Sequence, residues 1–340
     1  MAQSLITNLE PFTRATEFAA ILSAMYRGHG DKKAADRAAV YAFKCIFSEI
    51  PMQGRIVSTE GSLDKSHRLE YGEIVGCDPD GEQVDIAIDP LENTAACAGG
   101  LAGAVTVLAV APRDGFLRAE ETYMWKLAVG PGAKGKIDLE KSTTENVLAV
   151  AKALGKKPSQ LSVAILDRPR HKEMIAEIRA TGAMIMLLPA GDMMPAIATC
   201  FPDSGVDMVM GAGGGPEGVL AAAAIQALGG DFCGRLDKEL TERETGEKLK
   251  FKVPDHNMSI REIVKKPVHT IAITAVTDSY FLKGVYYDSG RVNTNTFVVR
   301  GESTTFGKNH NSRDIFRHNW FEYVKNEPEI YKLFASKIDQ

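Results

Sequence analysis

The sequence has 340 residues, of which 44% are hydrophobic and 25% are charged. These fractions are typical of globular proteins and exclude a disordered or fibrous chain. The 40 basic and 44 acidic side chains give a formal net charge of −4, so the chain lacks the positive field that non-specific binding to nucleic acid requires. At about 150 residues per domain, the length favours two domains.

The chain has no run of 18 apolar residues, and its N-terminus has no basic segment followed by a continuous apolar one. We therefore expect neither a membrane span nor a secretory signal. The five cysteines form no C-x-x-C pair, which favours a reducing, cytoplasmic location. The seven histidines lack the spacing of a zinc site, so any bound metal should have oxygen ligands.

Residues 1–160 predict an N-terminal α+β half. Apolar residues at helical spacing predict helices over 12–29 and 31–50, and a capping sequence at 142–145 opens a helix over 146–154. Short runs of alternating polarity predict strands over 54–57, 84–89, 104–110 and 123–129.

Residues 161–340 predict a C-terminal α/β half. Strand and helix alternate three times, which implies a parallel sheet; the strands are 161–166, 184–188 and 206–210, and the helices are 171–180, 193–200 and 219–228. The charge-dense stretch 236–252 indicates a solvated helix or excursion. Strands follow at 270–276 and 296–300, and the last 30 residues resemble a surface helix and tail.

The segment from Val84 to Thr94 carries the most informative carboxylates. Its alternation predicts a half-buried strand that ends at Asp89, and Asp followed by Pro favours a type I turn that brings Asp89 and Glu92 together. Two carboxylates and the Thr94 hydroxyl suit one or two Mg²⁺ or Mn²⁺ ions. The same residues would also occur in an ordinary capped surface turn.

Other acidic residues also lie at element ends. Glu60 follows the strand 54–58. Lys32 and Asp36 are four residues apart on a helix, an arrangement that suits a site or a simple ion pair. Glu217 lies at a helix start after a glycine-rich turn, where the helix dipole favours a carboxylate even without a function.

Three motif fragments are interpreted as coincidental. The glycines at 213, 215 and 218 fit a dinucleotide-binding pattern, but Pro216 removes an amide donor and Glu217 would repel a pyrophosphate. The stretch 130–136 lacks the final Ser or Thr of a P-loop. The stretch 78–82 resembles a phosphoaspartyl loop but is best explained as a polar turn.

Arg168 and Arg170 flank Pro169 just after the strand 161–166. Proline favours an extended Arg168, so both guanidinium groups are predicted to project to the same side and to suit a phosphate ester. A pair of ordinary surface arginines is the alternative.

Five motifs occur together in one order: Gly30-Asp-Lys-Lys-Ala-Ala-Asp36, Asp89-Pro-Leu-Glu-Asn-Thr94, the stretch 123–135, Arg168-Pro-Arg-His171 and Gly213-Gly-Gly-Pro-Glu-Gly218. Over about residues 12–235 they resemble the class II, GlpX-type fructose-1,6-bisphosphatases of the lithium-sensitive, metal-dependent phosphatase superfamily. The resemblance implies a layered α/β/α/β/α sandwich, a homodimer or homotetramer, and bound Mn²⁺ or Mg²⁺.

The resemblance also implies roles for individual residues. Thr94 would orient or activate the attacking water, Lys32 would be a catalytic-site lysine, and Asp89 and Glu60 would also be catalytic. The implied metal ligands are Asp36, Glu60, Asp89, Glu92 and Glu217. The implied contacts of the sugar bisphosphate are Glu92, Asn93, Thr94, Tyr123, Arg168, Arg170, Asp192 and Gly214.

The chain departs from the family pattern at several positions. Asn93 replaces a glycine, which the turn tolerates because asparagine adopts left-handed geometry more readily than most residues. Ala190 replaces the first acid of a D-G-D motif, a second acid near Glu60 is lost, and the stretch 274–278 differs. These changes affect the substrate side more than the chemistry.

The sequence thus predicts a phosphatase that removes the 1-phosphate of fructose 1,6-bisphosphate. A sedoheptulose-1,7-bisphosphatase or an inositol-phosphate phosphatase of the same fold is the alternative, and a non-catalytic sugar-phosphate binder is a third possibility. No nucleic acid or membrane partner is expected.

Overall fold

The computed structural model describes residues 10–59, 69–119, 121–249, 251–289, 291–300, 305–314, 320–325 and 327–336. The helices are α1 Glu10–Ala24, α2 Lys32–Phe47, α3 Thr94–Gly99, α4 Thr143–Ala153, α5 Lys172–Ala180, α6 Met193–Ala198, α7 Gly215–Ala227, α8 Lys238–Thr245, α9 Ile260–Ile263, α10 Trp320–Val324 and α11 Pro328–Ser336. The strands are β1 Met52–Thr59, β2 Ile74–Val75, β3 Glu82–Glu92, β4 Val105–Pro112, β5 Tyr123–Val129, β6 Ser162–Leu166, β7 Met184–Leu188, β8 Met208–Gly214, β9 Asp231–Asp237, β10 Met258–Ser259, β11 Thr270–Ala275, β12 Tyr286–Asp288, β13 Arg291–Arg300 and β14 Thr305–Asp314.

The chain forms two compact units that are discontinuous in sequence. The first comprises Met1–Ile56, Gly61–Arg113 and His269–Gln340, and the second comprises Val57–Glu60 and Asp114–Val268. The division expected from the sequence, into halves 1–160 and 161–340, places the boundary elsewhere. Strands β11 to β14 lie in the first unit although they follow the second unit along the chain.

The first unit contains a sheet of eight strands within the described residues, in the order β12-β13-β11-β4-β3-β1-β2, with β14 also paired to β13. Strand β4 pairs antiparallel with both β3 and β11. Helices α1 and α2 pack against each other, and α1 covers β4, β11 and β13. The small side chains of α2 allow this close approach, and Phe12, Phe18 and Phe43 fill the core.

The last helices of the chain belong to this core. Val324 and Ile330 are buried, the Tyr323 ring lies against Phe18, and the Tyr41 hydroxyl donates to the carbonyl of Tyr323. The sequence predicted a surface helix and tail here. Short helices with one apolar face give little sign of tertiary burial, which explains the difference.

The second unit contains a sheet of six strands among its described residues, in the order β10-β9-β5-β8-β6-β7. Strand β6 pairs parallel with β7 and β8, whereas β5 pairs antiparallel with β8 and β9. The predicted parallel sheet is therefore confined to three strands of a mixed sheet, and the α/β fold class is confirmed. Helix α7 is apolar all round and correspondingly buried.

The chain enters and leaves the second unit at adjacent points. Phe116 and Val264 form an antiparallel bridge, and the amides of Leu117 and Lys265 donate to the carbonyls of Ile263 and Gly115. In the part of the chain that is described, no helix has the length and apolar character needed to cross a membrane.

Candidate active site

Near the end of strand β3 of the first unit lie two buried carboxylates, Asp89 and Glu92, which are 2% and 3% exposed. Asp89 pairs with Val107 and Glu92 with Val105, so three steps along β3 match two along β4. One extra residue forms a β-bulge, and it puts both carboxylates on the same face of the sheet. Pro90, which has no amide to donate to the ladder, explains the position of the bulge.

The predicted type I turn at Asp89 is therefore wrong in form, because the strand continues to Glu92. The Leu91 amide donates to Oδ1 of Asp89 at 3.0 Å, so the carboxylate satisfies an amide that the bulge frees from the ladder. The predicted consequence, that Asp89 and Glu92 face the same side, is what the bulge produces.

Asn93 turns the chain from β3 into α3. Its φ of 61° and ψ of 52° are left-handed, and its side chain accepts a hydrogen bond from the Ala96 amide. The expectation that Asn93 would adopt left-handed geometry is confirmed. Thr94 is the first residue of α3, and its hydroxyl donates to the Leu91 carbonyl at 3.3 Å.

Asp36 lies on α2, the helix that packs against β3 and α3. Asp31 caps this helix, because its side chain accepts from the Ala34 amide at 2.9 Å. Asp36 is buried one turn further on, whereas Lys32 is exposed at the first residue of the helix. The cap thus fixes a buried acid and an exposed lysine close to the helix start.

Tyr280, in the loop after β11, is a residue of this unit that the sequence analysis missed. Partial burial raises the pKa of its hydroxyl to about 12, and the negative charge of Glu92 adds to the rise. Hydrogen bonds from the amides of Gly103 and Ala104 to Asp278 and Thr277 hold the start of the loop. No sequence signal identifies Tyr280, because its relation to Glu92 is set entirely by tertiary structure.

The donor set of β3 fits a hard divalent cation, since two buried carboxylates lie on one face of the sheet. Across the described residues, however, no group of three or more histidine, cysteine, aspartate or glutamate side chains is arranged to hold a metal ion. Glu60 lies outside the described residues. The five-ligand set therefore stays a prediction.

The second unit contains a buried ion pair that the sequence analysis did not identify. Lys126 on β5 is 2% exposed, and its Nζ donates to Oδ1 of Asp192 at 2.8 Å and to the Gly214 carbonyl at 3.0 Å. The only sequence signal for a buried lysine at this position was that it lies within an apolar strand. Its partners come from residues 66 and 88 positions away.

Glu217 lies in the first turn of α7, as predicted, beside this ion pair. Burial raises the pKa of its carboxyl, the charge of Lys126 opposes the rise, and the charge of Asp192 adds to it. Among the described residues its buried Oε2 accepts no hydrogen bond. A buried carboxylate oxygen in this state is costly unless a cation or proton compensates it.

Glycine at the turn into α7 leaves space that two carboxylates occupy, so a side chain at either position would displace one of them. A Cβ at Gly213 would collide with Oδ2 of Asp192, and a Cβ at Gly214 would collide with Oε2 of Glu217. The glycine run therefore packs backbone directly against the two acids. The buried Glu217 beside Gly214 also argues against a dinucleotide-binding turn.

Arg168 and Arg170 do not project together as predicted. Residues Pro169–His171 form a 3-10 turn, in which successive side chains are about 120° apart. Arg168, extended as predicted, donates to the carbonyls of Asp167 and Pro189, and Arg170 donates twice to the Ala212 carbonyl. The two guanidinium groups thus lie against different strand ends.

Arg170 also contacts Tyr123. Its guanidinium lies 5.1 Å from the centre of the Tyr123 ring and pairs with Glu244 at 3.1 Å. Tyr123 is opposite Gly214 across β5 and β8. Four of the predicted substrate contacts, Tyr123, Arg170, Asp192 and Gly214, are therefore brought together in the second unit.

An α/β chain with paired acids at a bulge, a hydroxyl beside them, and arginines near a glycine-rich helix start has the attributes of a metal-dependent phosphatase. Residues 7–311 match the family described as "Bacterial fructose-1,6-bisphosphatase, glpX-encoded". The chain belongs to this family.

Individual relatives agree with this assignment. Fructose-1,6-bisphosphatase 1 class 2 of Escherichia coli (strain K12) is 39% identical over 307 residues, which cover 86% of this chain and 91% of the relative. The class 2 enzyme of Haemophilus influenzae is 37% identical, with coverage of 87% and 93%. The D-fructose 1,6-bisphosphatase class 2/sedoheptulose 1,7-bisphosphatase of Synechococcus sp. (strain CC9902) is 38% identical, with coverage of 90% and 94%.

Proposed function

We propose that this protein hydrolyses the 1-phosphate of fructose 1,6-bisphosphate, giving fructose 6-phosphate and phosphate. The observation that carries the proposal is the family match over residues 7–311. The bulge that places buried Asp89 and Glu92 on one face supports metal-dependent chemistry independently of any relative. The protein is thus a phosphoric monoester hydrolase, which serves gluconeogenesis.

We propose that Mn²⁺ or Mg²⁺ is the cofactor and that its ligands are Asp36, Glu60, Asp89, Glu92 and Glu217. A bound divalent cation would lower the pKa of a coordinated water and neutralise charge on the phosphoryl oxygens. The buried carboxylates of β3 supply the hard oxygen donors that these cations prefer.

We propose the roles of the other residues from the resemblance to the family. Thr94 presents its hydroxyl at the start of α3 and would orient the attacking water, and exposed Lys32 would face the reacting phosphate. Arg168, Arg170, Tyr123, Asp192 and Gly214 would hold the sugar bisphosphate, together with Asn93 and Glu92. Binding of the distal phosphate would then position the reacting one.

A substrate panel with Mn²⁺ tests the proposal. Fructose 1,6-bisphosphate, sedoheptulose 1,7-bisphosphate and an inositol monophosphate are compared by kcat/KM for phosphate release. We expect fructose 1,6-bisphosphate to lead by about tenfold or more. Absence of phosphate release from both sugar bisphosphates would overturn the proposal.

Sedoheptulose bisphosphatase activity is the second candidate, because the Synechococcus relative carries both activities in its name. Ala190 in place of an acid, in the loop that leads to Asp192, also favours a changed sugar contact. Equal or higher kcat/KM for the seven-carbon substrate would support this candidate.

The Thr94→Ala variant tests whether Thr94 is catalytic. If it leaves the turnover of every substrate unchanged, Thr94 has no catalytic role. Wild-type protein without turnover would favour a non-catalytic binder.

We also propose a cytoplasmic location and a homodimer or homotetramer. All five cysteines are free thiols, which suits a reducing compartment. Strand β7 is an edge of the second sheet within the described residues, and its Met184 and Leu187 are 53% and 39% exposed. An exposed apolar edge strand favours pairing with another strand, and a second copy would supply one.

Sedimentation velocity tests this surface. Leu187→Lys should shift the protein toward the monomer, whereas Leu148→Lys, an exposed leucine on α4 of the same unit, should not. If both variants keep the wild-type sedimentation coefficient, β7 is not the interface.

A further inference from the structure

His171 is completely buried in the second unit although it follows two arginines in sequence. It ends the 3-10 turn after β6, and its ring meets the Trp125 ring edge-on at 5.9 Å between centres. Gly211 leaves room for the imidazole, because a Cβ there would lie 3.0 Å from Nε2. The ring is therefore fixed from several sides.

The two ring nitrogens of His171 contact groups of opposite character. Nδ1 lies 2.7 Å from the Leu166 carbonyl, which can only accept, so Nδ1 carries the proton. Nε2 lies 2.8 Å from the Ala212 amide, which can only donate, so Nε2 is the acceptor. The hydrogen bonds thus require the neutral tautomer protonated on Nδ1.

Arg170 binds the carbonyl of Ala212, the residue whose amide donates to His171. Its Nε and Nη2 donate to the Ala212 carbonyl at 3.1 and 2.8 Å. Both the amide and the carbonyl of Ala212 are therefore held by consecutive residues of the 3-10 turn. Ala212 immediately precedes Gly213 and Gly214, the glycines against which Asp192 and Glu217 pack.

We propose that His171 is a positioning residue for the hydrolysis of the sugar bisphosphate. Its Nε2 accepts a hydrogen bond from the Ala212 amide and thereby fixes the Gly213–Gly214 backbone. The same hydrogen bond holds the Ala212 carbonyl to which the guanidinium of Arg170 donates. His171 touches neither substrate nor reacting atoms in this assignment. The inference rests on the proposed function, because it gives His171 a role only through residues proposed to bind substrate.

The first experiment compares His171→Gln with His171→Leu in the full-length protein with Mn²⁺. Glutamine retains an acceptor for the Ala212 amide, whereas leucine leaves that amide buried and unpaired. We expect His171→Leu to raise KM for fructose 1,6-bisphosphate about tenfold with little change in kcat, because substrate binding is lost uniformly. His171→Gln should restore KM to within about threefold of wild type.

His269 provides a matched control, since it is a buried histidine of the first unit. His269→Gln should lower the melting temperature without changing KM. Unchanged KM in folded His171→Leu, or the same KM increase in the leucine and glutamine variants, would overturn the proposal.

A second measurement is independent of activity and of the leucine variant's folding. Selective ¹⁵N-histidine labelling, with His171→Gln to assign the signal, should show a neutral ring protonated on Nδ1 at pH 7. A ring protonated on Nε2, or a doubly protonated ring, would overturn the inference even if the enzyme is active. If the tautomer is as expected but wild type releases no phosphate from any sugar bisphosphate, the proposed function fails instead.

Discussion

Asp89 and Glu92 lie on a buried face of a central strand, where an ionised carboxylate is stable only with compensating donors or cations. Asp89 already accepts one hydrogen bond, from the Leu91 amide. Its position on the bulge, beside the start of α3, makes it the residue on which metal binding is most directly tested.

Asp89→Asn should weaken Mn²⁺ binding and lower kcat/KM by at least about 100-fold, because an amide is a poorer ligand than a carboxylate. Isothermal titration with Mn²⁺ and phosphate release measure the two effects. Asp85→Asn is the matched control on the same strand, since Asp85 pairs with Arg55 and Arg113. The control should lose stability and keep Mn²⁺ affinity; equal Mn²⁺ affinity in both variants would contradict the assignment.

His171 also makes stability depend on pH. Burial lowers the pKa of its imidazole from 6.5, the charges of Arg170 and Arg168 act in the same direction, and the Leu166 carbonyl and Asp192 oppose them. The folded state thus holds the ring neutral where the unfolded state binds a proton. The stabilisation is complete above pH 6.5 and is lost as the pH falls from there toward the folded pKa.

We therefore expect the stability of wild type relative to His171→Gln to decrease as the pH is lowered from 7.5 to about 5.5. Urea unfolding at a series of pH values measures the difference. A difference that is constant with pH, or that grows on acidification, would show that His171 does not remain neutral in the folded protein.

At the scale of elements, the join between β3 and α3 depends on one left-handed residue. Asn93 supplies both the positive φ and the side-chain cap of α3. Asn93→Ala should lower the free energy of unfolding by about 2 kcal/mol, since it loses the cap and strains the backbone. Asn93→Gly should cost only a few tenths of a kcal/mol. Urea unfolding checks both; similar losses would contradict the role of φ.

The same elements show what sequence reasoning can reach. The alternation of Val84 to Asp89 predicts β3, because that signal is local, whereas Asp-Pro predicts a type I turn at a place where the strand continues through a bulge. A turn and a bulge both suit a proline without an amide, so the choice between them depended on the pairing with β4.

Lys126 marks the limit of such reasoning in the site. In Tyr123–Val129 the lysine has the spacing of an ordinary strand residue, and its burial depends on Asp192 and Gly214, which are distant in sequence. The prediction that Arg168 and Arg170 project to the same side was wrong for a related reason. Proline fixes Arg168, but the directions of the two guanidinium groups depend on Pro189, just after β7, and on Ala212 of β8.

At the scale of the whole molecule, the boundaries of the two units determine which fragments of the chain should fold, and the midpoint of the chain does not. The first unit draws strands from both sides of the second, so no cut near residue 160 separates them. A fragment of residues 114–268 contains all six strands of the second sheet. It should unfold cooperatively in urea, whereas a fragment of residues 161–340 should not.

Circular dichroism during urea titration measures this cooperativity. The fragment 161–340 lacks β5, the central strand that pairs with both β8 and β9, and it lacks β3 and β4 of the first sheet. A sharp transition in that fragment together with a gradual one in 114–268 would show that the units do not correspond to folding domains.

The adjacent entry and exit points of the second unit also bear on the order of folding. Strands β4 and β11 are antiparallel neighbours separated along the chain by residues 114–268 of the second unit. Closing so long a loop in an unfolded chain is entropically expensive. Once the second unit has folded and Phe116 has paired with Val264, the loop shortens to a few residues and β4 and β11 meet almost as a hairpin. The second unit should therefore fold first and act as the nucleus from which the first sheet closes.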